Sequence, residues 1–155
     1  SIRRANLAVG ASPYMDKPAN DEAEPIPITE FARLEQELQQ IIMVETDDDY
    51  ITKAYQSLHD VRDRLLRIMS PELAEGCIEV YFRETDEGGV ILVPTQAPLW
   101  FDFNDAYEVK KVSNTRYEVS QEHQSALFGH VQFTITYTYT DGGWIMVDRF
   151  SELLT

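Results

Sequence analysis

The sequence contains little cysteine and few basic residues. Cys77 is the only cysteine in 155 residues, so the chain cannot form an internal disulfide or a cysteine-rich zinc site. Its apolar neighbours predict a small buried side chain rather than a nucleophile. The 13 lysines and arginines are outnumbered by 27 acids, giving a formal net charge of −14. Nucleic-acid binding needs a basic footprint and is not expected, whereas a basic partner, or simple solubility, fits this charge.

Long apolar runs are also absent. No stretch approaches the roughly 18 consecutive apolar residues of a membrane-spanning helix, and no apolar segment typical of a signal peptide is present. Arg3 and Arg4 precede the short apolar stretch NLAVG, which fits the tail of a removed targeting segment and the arbitrary start of a fragment equally well. A soluble domain is expected.

The remaining composition suits one folded domain behind a leader. With 43% hydrophobic residues, a chain of 155 residues can bury a core without disulfides or metal. Residues 1–28 hold four of the seven prolines among acidic and amide residues, a composition typical of extended, solvated chain. We predict a proline-rich leader or linker over residues 1–28 and a single α+β domain over residues 29–155.

Helical periodicity occupies the first half of this domain. Apolar residues recur at steps of three and four within residues 29–44, 57–69 and 70–81, which predicts three helices. Gly76 inside the third helix costs about 1 kcal/mol relative to alanine, so it either admits a close neighbour or marks a frayed stretch. The sequence does not decide whether residues 50–56 continue the helix or form a short edge strand. The expected capping residues are Thr29, Ser57 and Ser70, the last followed by a proline at the first helical position.

After the glycine pair at residues 88–89 the apolar period changes to two. Residues 130–140 alternate most clearly, with one apolar and one threonine-rich face, which predicts a core face and a wet face. The DGG sequence at 141–143 predicts a hairpin. Helices followed by such strands predict an α+β fold, with N-terminal helices packed on a curved antiparallel sheet of about five to six strands. The predicted strands are 90–93, 99–103, 107–112, 116–120, 130–140 and 144–150.

The aromatic patch PLWFDF at residues 98–103 is the best candidate for part of a ligand pocket. With nearby aromatic and acidic residues it would line a cavity between the sheet and the helices, although ordinary core packing is the alternative for aromatic side chains. The candidate pocket residues are Trp100, Asp102, Tyr107, Trp144 and Asp148.

No metal site, cofactor or catalytic residue is assigned. The three histidines lack the spacing of a metal pair. The acidic run at residues 47–49 lacks the central glycine and the closing glutamate of a calcium-binding loop. Both glycine pairs lie between predicted strands rather than in a phosphate-binding loop, and no serine occupies a nucleophile elbow.

Two segments carry a family resemblance. Residues 84–94 read ETDEGGVILVP, and residues 139–147 read YTDGGWIMV. Together with the helix pair that begins at Ser57, they resemble small secreted domains of Gram-positive bacteria grouped with the cell-wall DL-endopeptidase inhibitors. The resemblance covers residues 50–150, and the order of elements is also similar to the nuclear-transport-factor-like architecture. It implies a non-enzymatic protein outside the membrane, attached through an anchor upstream of the chain, whose acidic surface blocks a peptidoglycan hydrolase.

Three functions follow as expectations. The first is an extracytoplasmic binding domain that recognises a protein or cell-wall partner, without cofactor and without nucleic acid. The alternative is a nuclear-transport-factor-like pocket protein that binds a small ligand or acts as an enzyme. A third is an interaction domain that dimerises through the threonine-rich face around Thr134, Thr136 and Thr138.

Overall fold

The structure is a computed structural model that describes residues 25–154. Most of the leader predicted over residues 1–28 lies outside the described residues. The described chain divides into two compact units. The sheet unit comprises residues 25–32, 101–144 and 148–154, and the helical unit comprises residues 33–100 and 145–147. The fold is α+β, as predicted. The single domain over residues 29–155 stays a prediction.

The three predicted helices are present with shifted ends. The first begins one residue before Thr29, because the carbonyl of Pro27 already accepts the N–H groups of Glu30 and Phe31. The hydroxyls of Ser57 and Ser70 cap the second and third helices, accepting N–H groups three residues on at 3.4 and 3.3 Å. The second helix ends four residues before its predicted end. The bounds are α1 Ile28–Ile42, α2 Leu58–Leu65 and α3 Pro71–Tyr81.

Six strands form two sheets rather than the single sheet predicted. A small antiparallel pair joins β1 to β2, and the other four strands form a sheet in the order β3-β4-β5-β6. Each strand of the larger sheet pairs with its neighbour in sequence, so β3 and β6 are its edges and the sheet is not closed. The bounds are β1 Phe82–Glu84, β2 Val90–Leu92, β3 Glu108–Ser113, β4 Arg116–Ser125, β5 Gly129–Thr140 and β6 Gly143–Leu153.

The strand predicted over residues 99–103 is wrong. This segment pairs with no strand in the described chain, because the backbone N–H and carbonyl of Asp102 are bonded by the side chain of Gln121 instead. Because residues 99–103 form no strand, no strand joins β2 to β3, and the six strands form two sheets. The segment 50–56, left open by the sequence, is neither helix nor regular strand. It contributes isolated bridges from Ile51 to Ile91 and from Thr52 to Thr46.

The two faces of β5 differ less than predicted. Val131, Phe133 and Ile135 are buried, as expected for a core face. On the opposite face Thr134 and Thr136 are only 9% and 5% exposed, so the expectation of a wet face is wrong at the strand centre. Strand β5 lies between two neighbouring strands, and Thr134 and Thr136 pair with Ser120 and Glu118 of β4. They therefore offer little surface to a second copy of the chain.

The helical unit holds its own core around Tyr55. The ring of Tyr55 meets Phe82 edge-on at 5.8 Å, and its hydroxyl donates to the carbonyl of Ile41 at 2.6 Å. Burial raises the pKa of the Tyr55 phenol, and the neighbouring Arg64 guanidinium opposes that rise. The last carbonyls of a helix have no backbone N–H partner within the helix, and the Tyr55 hydroxyl supplies a donor to one of them at the end of α1.

Candidate functional site

Trp144, one of the predicted pocket residues, belongs to a packed ring cluster in the sheet unit. The Phe31 ring stacks on Tyr137 with 4.0 Å between centroids and 4° between planes. Trp144 meets Phe31 edge-on at 5.4 Å and lies 5.6 Å from Tyr117. These contacts make Trp144 part of the packing between the start of α1 and one face of the sheet.

Tyr107 belongs to a second ring cluster of the same unit. Its side chain is 1% exposed and lies 5.6 Å from Phe103 and 6.1 Å from Phe101. Phe101 in turn lies 5.8 Å from Phe133 on β5. Phe101 and Phe103 of the aromatic patch, together with Tyr107, thus pack on the core face of the sheet. Ordinary core packing is the alternative that the sequence left open.

The remaining predicted pocket residues are more exposed. Asp102 lies on the surface, and its carboxylate accepts the N–H of Asn104 at 2.8 Å in a local turn. Asp148 is exposed, and Trp100 is half-buried in the helical unit. None of the five predicted residues lines either of the two grooves described below. A cavity between helices and sheet stays a prediction.

Asp148 is exposed on β6, an edge strand of the larger sheet. Trp144 of the same strand packs against Tyr139, and the guanidinium of Arg149 lies 5.2 Å from the centre of the Phe133 ring on β5. Strand β6 therefore contacts β5 through an indole ring and a guanidinium, and not through the Asp148 carboxylate.

An acidic groove of about 490 Å³ lies on the opposite, polar face of the sheet unit. The register places Glu108 opposite Ser120, and Glu122 opposite Gln132. Paired residues share a face, and Glu122 follows Ser120 by two positions, so all four side chains project together. Asp105 joins them from the loop that precedes β3. The described residues that line this groove thus include three carboxylates and no lysine or arginine.

Gln121 fixes the loop that brings Asp105 to the groove. Its buried amide accepts the N–H of Asp102 at 2.7 Å and donates to the carbonyls of Asp102 and Ala106 at 2.9 and 3.4 Å. One side chain therefore replaces the hydrogen bonds that a paired strand would make. The sequence offers no signal for this role, because a glutamine in an alternating strand is ordinarily a surface residue.

The groove is suited to binding cationic groups. Glu108 and Glu122 are diagonal neighbours on adjacent strands, and such residues lie about 7–8 Å apart with their Cβ atoms somewhat closer. Ser120, Gln132 and the carboxylates supply hydrogen-bond acceptors between and around that span. A lysine ammonium or an arginine guanidinium fits this arrangement, and carboxylate–guanidinium pairs are among the stronger polar contacts in proteins.

The acidic groove was not anticipated as a site. Its acids are spread over residues 105–122 and look like ordinary surface charges in sequence. Only the pairing of β3 with β4 and of β4 with β5 brings them together. The alternation of polar residues in β4, with Glu118, Ser120 and Glu122 on one face, is the one sequence signal that could have indicated a polar sheet face.

Metal-binding clusters and membrane-spanning helices are both absent from the described residues. Among residues 25–154, no group of three or more histidine, cysteine, aspartate or glutamate side chains is arranged to hold a metal ion. No helix in this part of the chain combines the length and the apolar character needed to cross a membrane. No protein-family model matches the chain, and no curated protein matches it.

Proposed function

We propose that this protein is a non-enzymatic binding domain that recognises a basic protein or cell-wall partner, and that the acidic groove is its contact surface. The observation that carries the proposal is the convergence of Asp105, Glu108 and Glu122 on one groove whose described lining holds no lysine or arginine. The Glu122 carboxylate also lies 3.1 Å from Nε2 of His130, which is outside that lining. A net charge of −14 on the whole chain adds long-range attraction for a basic partner.

A cell-wall hydrolase is the partner that we propose. The resemblance of residues 84–94 and 139–147 to the cell-wall DL-endopeptidase inhibitors supports this choice, and it also supports a location outside the membrane. In this proposal a lysine or arginine near the hydrolase cleft binds between Glu108 and Glu122, and the bound domain keeps the substrate out. We further propose a nuclear-transport-factor-like arrangement, in which helices pack on a curved sheet; the order of three helices before six strands supports it.

The test is inhibition of a DL-endopeptidase catalytic domain acting on purified cell walls, followed by loss of turbidity. The groove variant carries Asp105→Asn, Glu108→Gln and Glu122→Gln. The matched control carries Asp48→Asn, Asp86→Asn and Glu87→Gln, which remove the same charge from exposed positions of the helical unit.

We expect the wild type and the control to inhibit alike and the groove variant to need at least tenfold higher concentration, because it loses three cation-binding carboxylates. Raising the salt concentration should weaken inhibition by the wild type more than by the groove variant. The proposal is wrong if the wild type does not inhibit, or if the groove variant and the control inhibit equally.

A further inference from the structure

Gly76 occupies a position where the fold of the described chain gives no reason for glycine. It lies in the interior of α3, five residues before the last residue of that helix, so it does not mark a frayed end. A Cβ built at this position meets nothing within 4 Å, so no neighbour in the described chain requires the missing side chain. Glycine in a helix interior costs about 1 kcal/mol relative to alanine. Both explanations suggested by the sequence therefore fail.

The open space beside Gly76 is part of a groove between α2 and α3. The groove has a volume of about 710 Å³, and its apolar surface includes Leu58 from the start of α2 and the buried Ile78 from α3. Gly76 is exposed in this groove. A glycine at such a place lets another backbone approach more closely than any other residue would allow.

The charges around this inter-helix groove are mainly negative. Glu72, Glu75 and Glu79 recur at steps of three and four along α3 and therefore form one ridge beside the groove. Arg62 from α2 is the one basic residue among the described lining. Its guanidinium donates to both carboxylate oxygens of Glu75, at 2.5 and 3.2 Å. The three glutamates and the one arginine give the described lining of the groove a formal charge of −2, and the arginine is already paired with Glu75.

We propose that the inter-helix groove docks a basic amphipathic helix of a partner protein, with the partner backbone closest at Gly76. The apolar face of that helix covers Leu58 and Ile78, and its lysines or arginines pair with Glu72 and Glu79. Residues 72–79 span about 10 Å of helix axis, which matches about two turns of the docked helix.

Charge favours a helix from another protein over a second copy of this chain as the occupant of the inter-helix groove. A second copy brings a further net charge of −14 toward a groove that is itself negative. A basic helix gains from the same field. The inter-helix groove lies in the helical unit and the acidic groove in the sheet unit, so this inference does not rest on the proposed function.

The probe is a synthetic 14-residue helical peptide with leucines on one face and lysines on the flanks. Its control is a scrambled peptide of the same composition that lacks the leucine stripe. Binding is followed by fluorescence anisotropy and by backbone amide shifts of the labelled protein. Gly76→Phe fills the groove, Gly76→Ala adds one methyl group, and Glu72→Gln with Glu79→Gln removes the two acids of the ridge other than Glu75.

We expect the amphipathic peptide, but not the scrambled one, to shift the amides of Leu58, Gly76 and Ile78. Gly76→Phe should weaken binding at least tenfold, and the double glutamine variant about fivefold. Gly76→Ala should weaken binding at least threefold, because its methyl group keeps the partner backbone away, while raising the melting temperature by about 2–4 °C, since alanine favours the helix. That rise shows that substitution at residue 76 does not damage the fold.

Three results would overturn the inference. The first is peptide binding that Gly76→Phe leaves unchanged. The second is a set of shifts that falls on Ser120 and Gln132 instead, which would assign the peptide to the acidic groove and leave the proposed function intact. The third is a concentration-dependent shift of Leu58 and Gly76 without peptide, which would make the occupant a second copy of this chain.

Discussion

Replacing Gln121 by alanine tests whether one buried amide holds the loop of residues 102–106 against the sheet. The wild-type side chain is 7% exposed and makes three hydrogen bonds, of which two are short at 2.7 and 2.9 Å and one is long at 3.4 Å. All three end on the backbone of Asp102 or Ala106. The substitution removes these bonds together and leaves the rest of β4 unchanged.

The expected loss of stability follows from these contacts. A neutral hydrogen bond contributes a net value of about 0.5–1.5 kcal/mol. Asp102 and Ala106 are exposed, so water can replace part of what Gln121 supplied. We therefore take the two short bonds at the middle of that range and expect the free energy of unfolding to fall by about 2 kcal/mol.

Urea denaturation, followed by circular dichroism, measures this loss. With a denaturant slope of about 1–3 kcal/mol/M, the midpoint should fall by about 1 M. Gln124→Ala is the matched control on the same strand, because Gln124 is exposed, and it should change stability by less than about 0.5 kcal/mol. Equal midpoints for the two variants would refute the role assigned to Gln121. Accelerated hydrogen exchange at the Asp102 amide should accompany the loss.

Two further predictions concern the pH dependence of stability and the turn before β6. The Arg62 guanidinium beside Glu75 lowers the pKa of that carboxyl below its ordinary value of 4.5. The ion pair should therefore stabilise the fold above about pH 4.5, and this stabilisation should be lost as the pH falls through the lowered pKa. Urea denaturation of the wild type and of Glu75→Gln measures the effect, and a stability difference that does not change with pH would contradict the prediction. Gly142 has φ of 91°, whereas Gly143 has an ordinary φ, and a Cβ at either meets nothing within 4 Å. Gly142→Ala should lower the free energy of unfolding by about 1–2 kcal/mol and Gly143→Ala should not; equal effects in thermal denaturation would contradict the left-handed turn.

The sequence predicted best where a few neighbouring residues decide the structure. Ser57 and Ser70 start helices because a hydroxyl can accept an N–H group three residues along the same chain. Asp141 and Gly142 turn the chain because both adopt positive φ, a preference of these residue types. Alternation likewise located β5 to within one residue, since a strand with one buried face repeats every two residues.

The surroundings of the candidate pocket residues depend on contacts between distant parts of the chain. Trp144 and Tyr107, predicted to line a pocket, lie in ring clusters that also contain Phe31 of α1 and Phe133 of β5, and the sequence does not show these neighbours. The sequence also does not show that β6 lies at the edge of the sheet, where Asp148 is exposed.

The sequence by itself determined the starts of α2 and α3, the turn before β6, the alternation of β5 and the acidic charge, because each depends on residue type or on neighbours within about four positions. Only the tertiary structure decided that residues 99–103 form a loop held by Gln121, that six strands divide into sheets of four and two, and that Asp105, Glu108 and Glu122 share one groove. These features depend on which backbone hydrogen-bond groups find partners far along the chain. Hydrophobic periodicity is local and carries no information about that choice.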